Sequence, residues 1–169
     1  ANAHPTMDGE LVALSAEIGA ACQAHGVVLS TAESCTGGWM AQVITHTAGS
    51  SAWFDRGFVT YSNDAKIEML GVAQATLDHY GAVSPETAGA MATGALDKSK
   101  SLIALSITGI AGPAGGSLGK PVGTVCFAWC RRDTSAVTER VHFNGDRESV
   151  RRQAVIHALR ELLNRIHAT

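Results

Sequence analysis

The sequence predicts an α/β domain, a three-layer α/β/α sandwich around a mixed sheet of about five strands. Two observations carry this expectation. Some segments place apolar residues at helical spacing while others are short β-branched runs, and the two kinds follow one another in the order α-β-α-β-α-α-β-β-β-α.

Residues 1–7 carry no periodic pattern and precede an internal methionine, so a flexible end is expected there, outside a single domain spanning 8–169. Asp8 is placed to cap a first helix with Leu11, Leu14, Ile18 and Cys22 on its apolar side, ended by Gly26. Val27 to Thr31 reads as a buried strand, and a second helix is expected from Gly37 to about His46. Trp53 to Ser62 reads as the second strand. Asn63 is a suitable cap for a short helix carrying Lys66 and Met69, closed by Gly71. Ala73 to Tyr80 forms a weaker helical pattern, and Ser84-Pro85-Glu86-Thr87 opens a firm helix running to about Lys98, with serine as cap and proline in the first turn. Leu102 to Thr108 is the third strand, followed by a glycine-rich loop over 109–119. Val122 to Cys130 and Ala136 to Phe143 read as a hairpin. Asp146 then caps a long final helix with Val150, Ala154, Ile156, His157, Leu159 and Leu163 toward the sheet.

A chain of 169 residues is long enough for one hydrophobic core. Its 46% hydrophobic and 17% charged residues exclude a disordered chain. The formal charge of −2 supplies no field toward nucleic acid or an anionic membrane, and Arg131, Arg132, Arg147, Arg151 and Arg152 lack interleaved aromatics for stacking on single strands. No nucleic-acid or membrane partner is expected. No apolar run approaches the roughly 20 residues that span a bilayer, and the N-terminus lacks a signal-peptide pattern, so a cytoplasmic location is expected. Cys126 and Cys130, four apart on one strand, lie about 13 Å apart and cannot pair. The seven histidines show no ligand spacing, so no catalytic metal is expected.

Four segments can carry chemistry. At Ser34 a strand turns into a helix, whose unpaired N–H groups and partial positive charge suit an anion, and Gly37 and Gly38 allow close approach. Ser34 or Thr36 can equally be a simple helix cap, and Cys35 is a rival nucleophile because a helix N-terminus lowers a thiol pKa. Tyr61-Ser62-Asn63 leads to Lys66. A serine hydroxyl needs a base at neutral pH, and a lysine held near neutral pKa by burial can be one; otherwise Lys66 is a solvated helix residue and Tyr61 a core aromatic. Thr108, Gly109, Ile110, Ala111 and Gly112 end a strand in an N–H-rich loop suited to a phosphate or ribose, or form a plain surface loop. Arg147 stands in the first turn of a helix, where the dipole disfavours a cation, so it needs a compensating phosphate or carboxylate, Asp146 and Glu148 being the local alternatives.

Taken together, Thr31-Ala32-Glu33-Ser34-Cys35-Thr36-Gly37-Gly38, Gly49-Ser50-Ser51, Tyr61-Ser62-Asn63 with Lys66, Leu70-Gly71-Val72, Gly81-Ala82-Val83-Ser84, Thr108-Gly109-Ile110-Ala111-Gly112-Pro113 and Lys120-Pro121-Val122-Gly123 closely resemble the CinA C-terminal domain family, in order from about Asp8 to the end. Its characterised members include nicotinamide mononucleotide deamidases. The resemblance implies hydrolysis of the nicotinamide mononucleotide carboxamide to nicotinate mononucleotide and ammonia, in pyridine nucleotide recycling, with no metal or organic cofactor and a homodimeric assembly. It implies Ser34 as nucleophile, Lys66 as its base, Tyr61 and Thr108 as further active-site residues, and Gly109 to Gly112 as the ligand loop. Cys35, Thr36, Gly37, Gly38 and Arg147 complete the expected substrate contacts. Many members carry a further, larger N-terminal domain associated with ADP-ribose pyrophosphatase activity; this sequence lacks its pattern, and that activity is not expected. A nucleotide-binding module without catalysis is the alternative from another class.

Overall fold

Three strands point the same way and release the chain along one edge of the sheet, and this sets the position of everything functional. The computed structural model describes residues 8–168, so the end expected at 1–7 lies outside the described residues. The elements are α1 (Gly9–His25), β1 (Leu29–Glu33), α2 (Trp39–His46), β2 (Phe54–Val59), α3 (Asn63–Leu70), α4 (Gln74–Tyr80), α5 (Pro85–Asp97), β3 (Ile103–Gly109), β4 (Thr124–Arg131), β5 (Val137–His142) and α6 (Arg147–His167). The sheet runs β2-β1-β3-β4-β5, with β1 parallel to both β2 and β3, and β4 and β5 antiparallel additions. The expected mixed five-stranded sheet is therefore observed.

Alternation along the central strands sorts large from small side chains. Ile103, Leu105, Ile107, Val125, Phe127 and Trp129 pack into one cluster with residues of α1, α2 and α6, including Ile18, Ile44, Leu159 and Leu162. Each such fully buried side chain contributes roughly 1.5–3 kcal/mol. Ala104, Cys126, Ala128 and Cys130 share the other cluster with Leu70 of α3, Leu77 of α4 and Ala88, Met91, Ala92 and Ala95 of α5. Small residues on both sides let α5 lie close to the sheet. The indole Nε1 of Trp129 donates to the Ala158 carbonyl at 3.0 Å, so this buried ring leaves no polar group unpaired.

Helix ends follow cap chemistry. Asp8 accepts from the Leu11 amide at 3.1 Å, Ser84 from Thr87 at 3.1 Å and Asp146 from Ser149 at 2.9 Å. Ser62, rather than Asn63, caps α3, accepting from Ala65 at 3.0 Å, because Asn63 is already the first helical residue. The second helix starts at Trp39 rather than Gly37, since Gly37 (φ 58°) and Gly38 (φ 101°) hold left-handed backbone that a right-handed helix cannot include. The strand following Gly26 lies two residues later than the β-branched run suggests, and β2 stops at Val59, short of Ser62. On α6 Leu162 is fully buried where the sequence predicts Leu163, and Leu163 only packs at the margin.

The register places the site. Glu33 pairs with Val59 on one side and Ile107 on the other, so Ser34 and Thr60, each just past the end of its strand, stand abreast of Thr108, the next-to-last residue of β3. The Ser34 amide still donates to the Ile107 carbonyl at 2.9 Å, and the Thr60 amide to Glu33 at 2.8 Å. The chain leaves β1 toward one neighbour, β2, and later returns beside it as β3. In open α/β sheets that reversal leaves a crevice at the carboxyl ends of the strands.

Gly94 of α5 faces the end of α3, where an added Cβ would overlap the Leu70 carbonyl oxygen. Gly94→Ala should lower stability by about 1–3 kcal/mol in urea melts, whereas Gly9→Ala, with nothing near it, should not. Equal stability of Gly94→Ala and wild type would show that the two helices are not in enforced contact.

Candidate active site

Ser34 emerges from β1 and Lys66 sits in the second turn of α3, 32 residues away in sequence and adjacent in space. The Lys66 side chain is 1% exposed. Its Nζ lies 3.0 Å from Ser34 Oγ, 2.9 Å from the Thr60 carbonyl and 3.3 Å from the Tyr61 carbonyl. Those two carbonyls belong to the segment joining β2 to α3, so the register of β2 against β1 sets the pair's separation.

This set of partners has a valence consequence. A protonated amine has three N–H bonds and fills all three positions; a neutral amine has two, which the carbonyls take, leaving its lone pair directed at Ser34 Oγ. The serine hydroxyl has one alternative acceptor, the Tyr61 carbonyl at 3.5 Å, at the outer limit of a hydrogen bond. Burial holds the Lys66 pKa below its ordinary value near 10.5, with the facing Cys35 group acting in the opposite direction. The arrangement can take a proton from Ser34.

Cys35 lines the same cavity but is 6% exposed and belongs to the apolar cluster under α1, α2 and α6. Its thiol is pushed up to about 12 by burial, against the pull of Arg151. The lowering expected from a helix N-terminus is not realised, because α2 begins four residues later and the sulfur is desolvated. The rival nucleophile is thereby a protonated wall residue.

The cavity in front of Ser34 measures about 270 Å³. Ser34, Cys35, Tyr61, Lys66, Thr108, Gly109, Ile110, Ala111, Gly112 and Arg147 all line it. The Thr108 hydroxyl donates to the Ala82 carbonyl at 2.8 Å, tying β3 to the segment before α5. Gly112 has φ 83°, and a Cβ there would overlap Val122 Cγ1, so the loop shape depends on this glycine. Arg147 does have compensating partners, but they are neutral: Nη1 donates to the Gly112 carbonyl at 2.9 Å and Nη2 to the Tyr61 hydroxyl at 3.2 Å. Neither local alternative, Asp146 or Glu148, is its hydrogen-bond partner; these two oxygens are.

Thr36, Gly37 and Gly38 sit elsewhere. They line a larger, separate cavity of about 1060 Å³ beside Trp39 and Arg151. Thr36 is fully buried with its hydroxyl donating to Glu33, and the Gly37 amide donates to the Ser34 carbonyl at 3.0 Å. These three residues line that cavity and not the one in front of Ser34. Asn63, Ala82, Val83, Ala114 and Gly115 also line the Ser34 cavity. Asn63 and Val83 lie inside segments that the sequence marks out, yet spacing alone assigns them no direction. Glu33 and Arg151, both bonded to the Ser34 turn, are the other residues that sequence reasoning missed.

A serine and a buried lysine paired at the carboxyl end of a parallel strand define an α/β protein equipped for nucleophilic chemistry at a small pocket. The chain belongs to the CinA C-terminal domain family, whose model matches residues 11–166. It is 56% identical over 155 residues to the nicotinamide-nucleotide amidohydrolase PncC of Escherichia coli strain K12, covering 92% of this chain and 94% of that protein. The protein of the same name from Pseudomonas putida is 49% identical over 154 residues, covering 90% and 95%. The crystal structure of competence/damage inducible protein CihA from Agrobacterium tumefaciens superposes with a TM-score of 0.89 at 45% identity, over 97% of this chain and 99% of that one.

The depressed Lys66 pKa couples stability to pH. Below it the amine is charged in both states; between it and about 10.5 the unfolded chain binds the extra proton, so stability rises with pH there. The stability of wild type minus that of Lys66→Met, from urea melts at stepped pH, should therefore climb as pH approaches 10.5. Parallel curves would place the lysine in water.

Proposed function

We propose that this protein hydrolyses the carboxamide of nicotinamide mononucleotide to nicotinate mononucleotide and ammonia, with Ser34 as nucleophile and Lys66 as general base. The observation that carries it is the 3.0 Å approach of Nζ to Ser34 Oγ with both remaining amine hydrogens committed to carbonyls. The amidohydrolases that it resembles over nearly their whole length supply the substrate.

Ser34 Oγ adds to the carboxamide carbon while its proton passes to Lys66 Nζ. The tetrahedral adduct breaks its C–N bond, and the proton held on Nζ leaves with ammonia. Water then adds to the acyl-enzyme, Nζ takes its proton, and that proton returns to Ser34 as nicotinate mononucleotide departs. The cationic pyridinium ring withdraws electrons from the carboxamide and eases both additions. The amides of Gly37 and Ile110 are engaged with Ser34 and Thr124, which leaves Cys35, Ala111 and Gly112 on the cavity wall as oxyanion donors. Such a donor contributes about 3–4 kcal/mol.

A cavity of this size takes the nicotinamide ring and its ribose, with the phosphate at the mouth. Arg147 stands there with N–H bonds left over after Gly112 and Tyr61. The same reading makes the protein a cytoplasmic homodimer that returns nicotinamide mononucleotide to pyridine nucleotide synthesis.

Purified protein should release ammonia from nicotinamide mononucleotide and little from free nicotinamide or glutamine. Tight binding without ammonia would make it a nucleotide-binding module instead. Ser34→Ala and Lys66→Ala should each abolish nearly all turnover, whereas Cys35→Ala should retain it. Arg147→Ala should mainly raise KM; an unchanged KM would assign the arginine to loop structure alone. In wild type, kcat/KM should rise with pH to a midpoint below the ordinary lysine value near 10.5, as the buried amine loses its proton.

A further inference from the structure

Residues 34–38, which carry the nucleophile, belong to neither helix nor strand, and Gly37 and Gly38 have left-handed backbone. Such a segment has little rigidity of its own. Two charged side chains grip it from different elements. Glu33, the last residue of β1 and 1% exposed, accepts through Oε1 from Thr36 Oγ1 at 2.7 Å and from the Met40 amide at 2.9 Å, and through Oε2 from the Ala41 amide at 3.0 Å. Gly38 at the N-cap of α2 offers no side chain, so the carboxylate caps the helix from the strand before it. Arg151 of α6, 116 residues beyond Cys35, donates through Nε to the Cys35 carbonyl at 3.0 Å and through Nη2 to the Thr36 carbonyl at 3.3 Å. Its guanidinium lies 5.6 Å from the Trp39 ring centroid. Neither Glu33 nor Arg151 lines the Ser34 cavity.

We propose that Glu33 and Arg151 are positioning residues for Ser34, fixing the turn from the amide side and from the carbonyl side so that Oγ stays within reach of Lys66. This rests on the reading of Ser34 as nucleophile. A displacement of about 1 Å at a reacting atom can lower turnover about 100-fold, which is the effect the brace prevents. Burial holds the Lys66 pKa down, while the Glu33 and Arg151 charges are bonded to Thr36, Met40, Ala41 and Cys35 rather than to the amine. Loss of the brace therefore lowers the plateau of the pH profile and leaves its midpoint in place.

The test compares wild type, Glu33→Gln and Arg151→Met, with folded fraction measured by circular dichroism. The glutamine keeps the volume but puts an NH₂ where an amide acceptor is needed; the methionine keeps an apolar stem on Trp39. Ammonia release from nicotinamide mononucleotide gives kcat and KM, and labelling of Ser34 by a fluorophosphonate, located by mass spectrometry, reads the nucleophile without that substrate. Expected for each variant is a fall of about 100-fold in kcat per folded molecule, with KM and pH midpoint little changed and slower labelling. Full turnover per folded molecule, or a moved midpoint, overturns the proposal. If Glu33→Gln fails to fold, Arg151→Met decides alone, since its side chain is half-buried on a helix surface. Wild type that labels at Ser34 but releases no ammonia removes the substrate reading only, and the labelling rates then decide the brace. Wild type that does neither overturns both.

Discussion

The structure depends on one costly placement, an amine in the interior. Lys66 is among the largest fully buried side chains of the protein, and its burial is tolerable because three oxygens meet it in the directions its bonds require. Two of those oxygens are backbone carbonyls just beyond β2, and the third is the hydroxyl just beyond β1. Parallel pairing of β1 with β2 is thus more than a packing solution. It brings to one point the acceptors that allow a titratable group to exist there and the hydroxyl it meets at 3.0 Å.

The two faces of the sheet serve this point differently. The face bearing α1, α2 and α6 is filled with large side chains and gives the fold most of its buried apolar area. On the face bearing α3, α4 and α5 the sheet contributes alanine and cysteine and α5 contributes alanines and Gly94, which brings helix backbones close and sets α3 against α5. Lysine is delivered from the thin, closely packed side, where a small error in helix position translates directly into an error at Nζ.

Much of this was legible from residue order. Helix periodicity, the Asp8, Ser84 and Asp146 caps and the α5 proline specify elements by local chemistry, and they came out as read. The errors share a cause: they lie where a turn's direction is decided by distant partners. Gly37 and Gly38 look like the start of a phosphate-binding helix, but both hold left-handed backbone, α2 begins only at Trp39, and the glycines line a different cavity from that of Ser34. For Arg147 the local sequence shows only a cation in the first turn of a helix, and its bonds to the carbonyl of Gly112, 35 residues before it, and to the Tyr61 hydroxyl are visible only in the fold. The family motifs singled out Ser34 and Lys66, while pairing at 3.0 Å is a property of strand register that no local pattern states. Cys35 shows the same limit: its neighbours along the chain suggest a lowered thiol pKa, and its burial among neighbours in space raises it.

Arg147 and Arg151 are separated from the serine turn by more than a hundred residues and are carried by α6. During synthesis the strand with Ser34 and the helix with Lys66 leave the ribosome well before the helix that closes over them. Contacts of such long sequence separation form late because the loop they close must first be ordered. A nascent chain therefore lacks the Arg151 bonds to the Cys35 and Thr36 carbonyls until α6 docks.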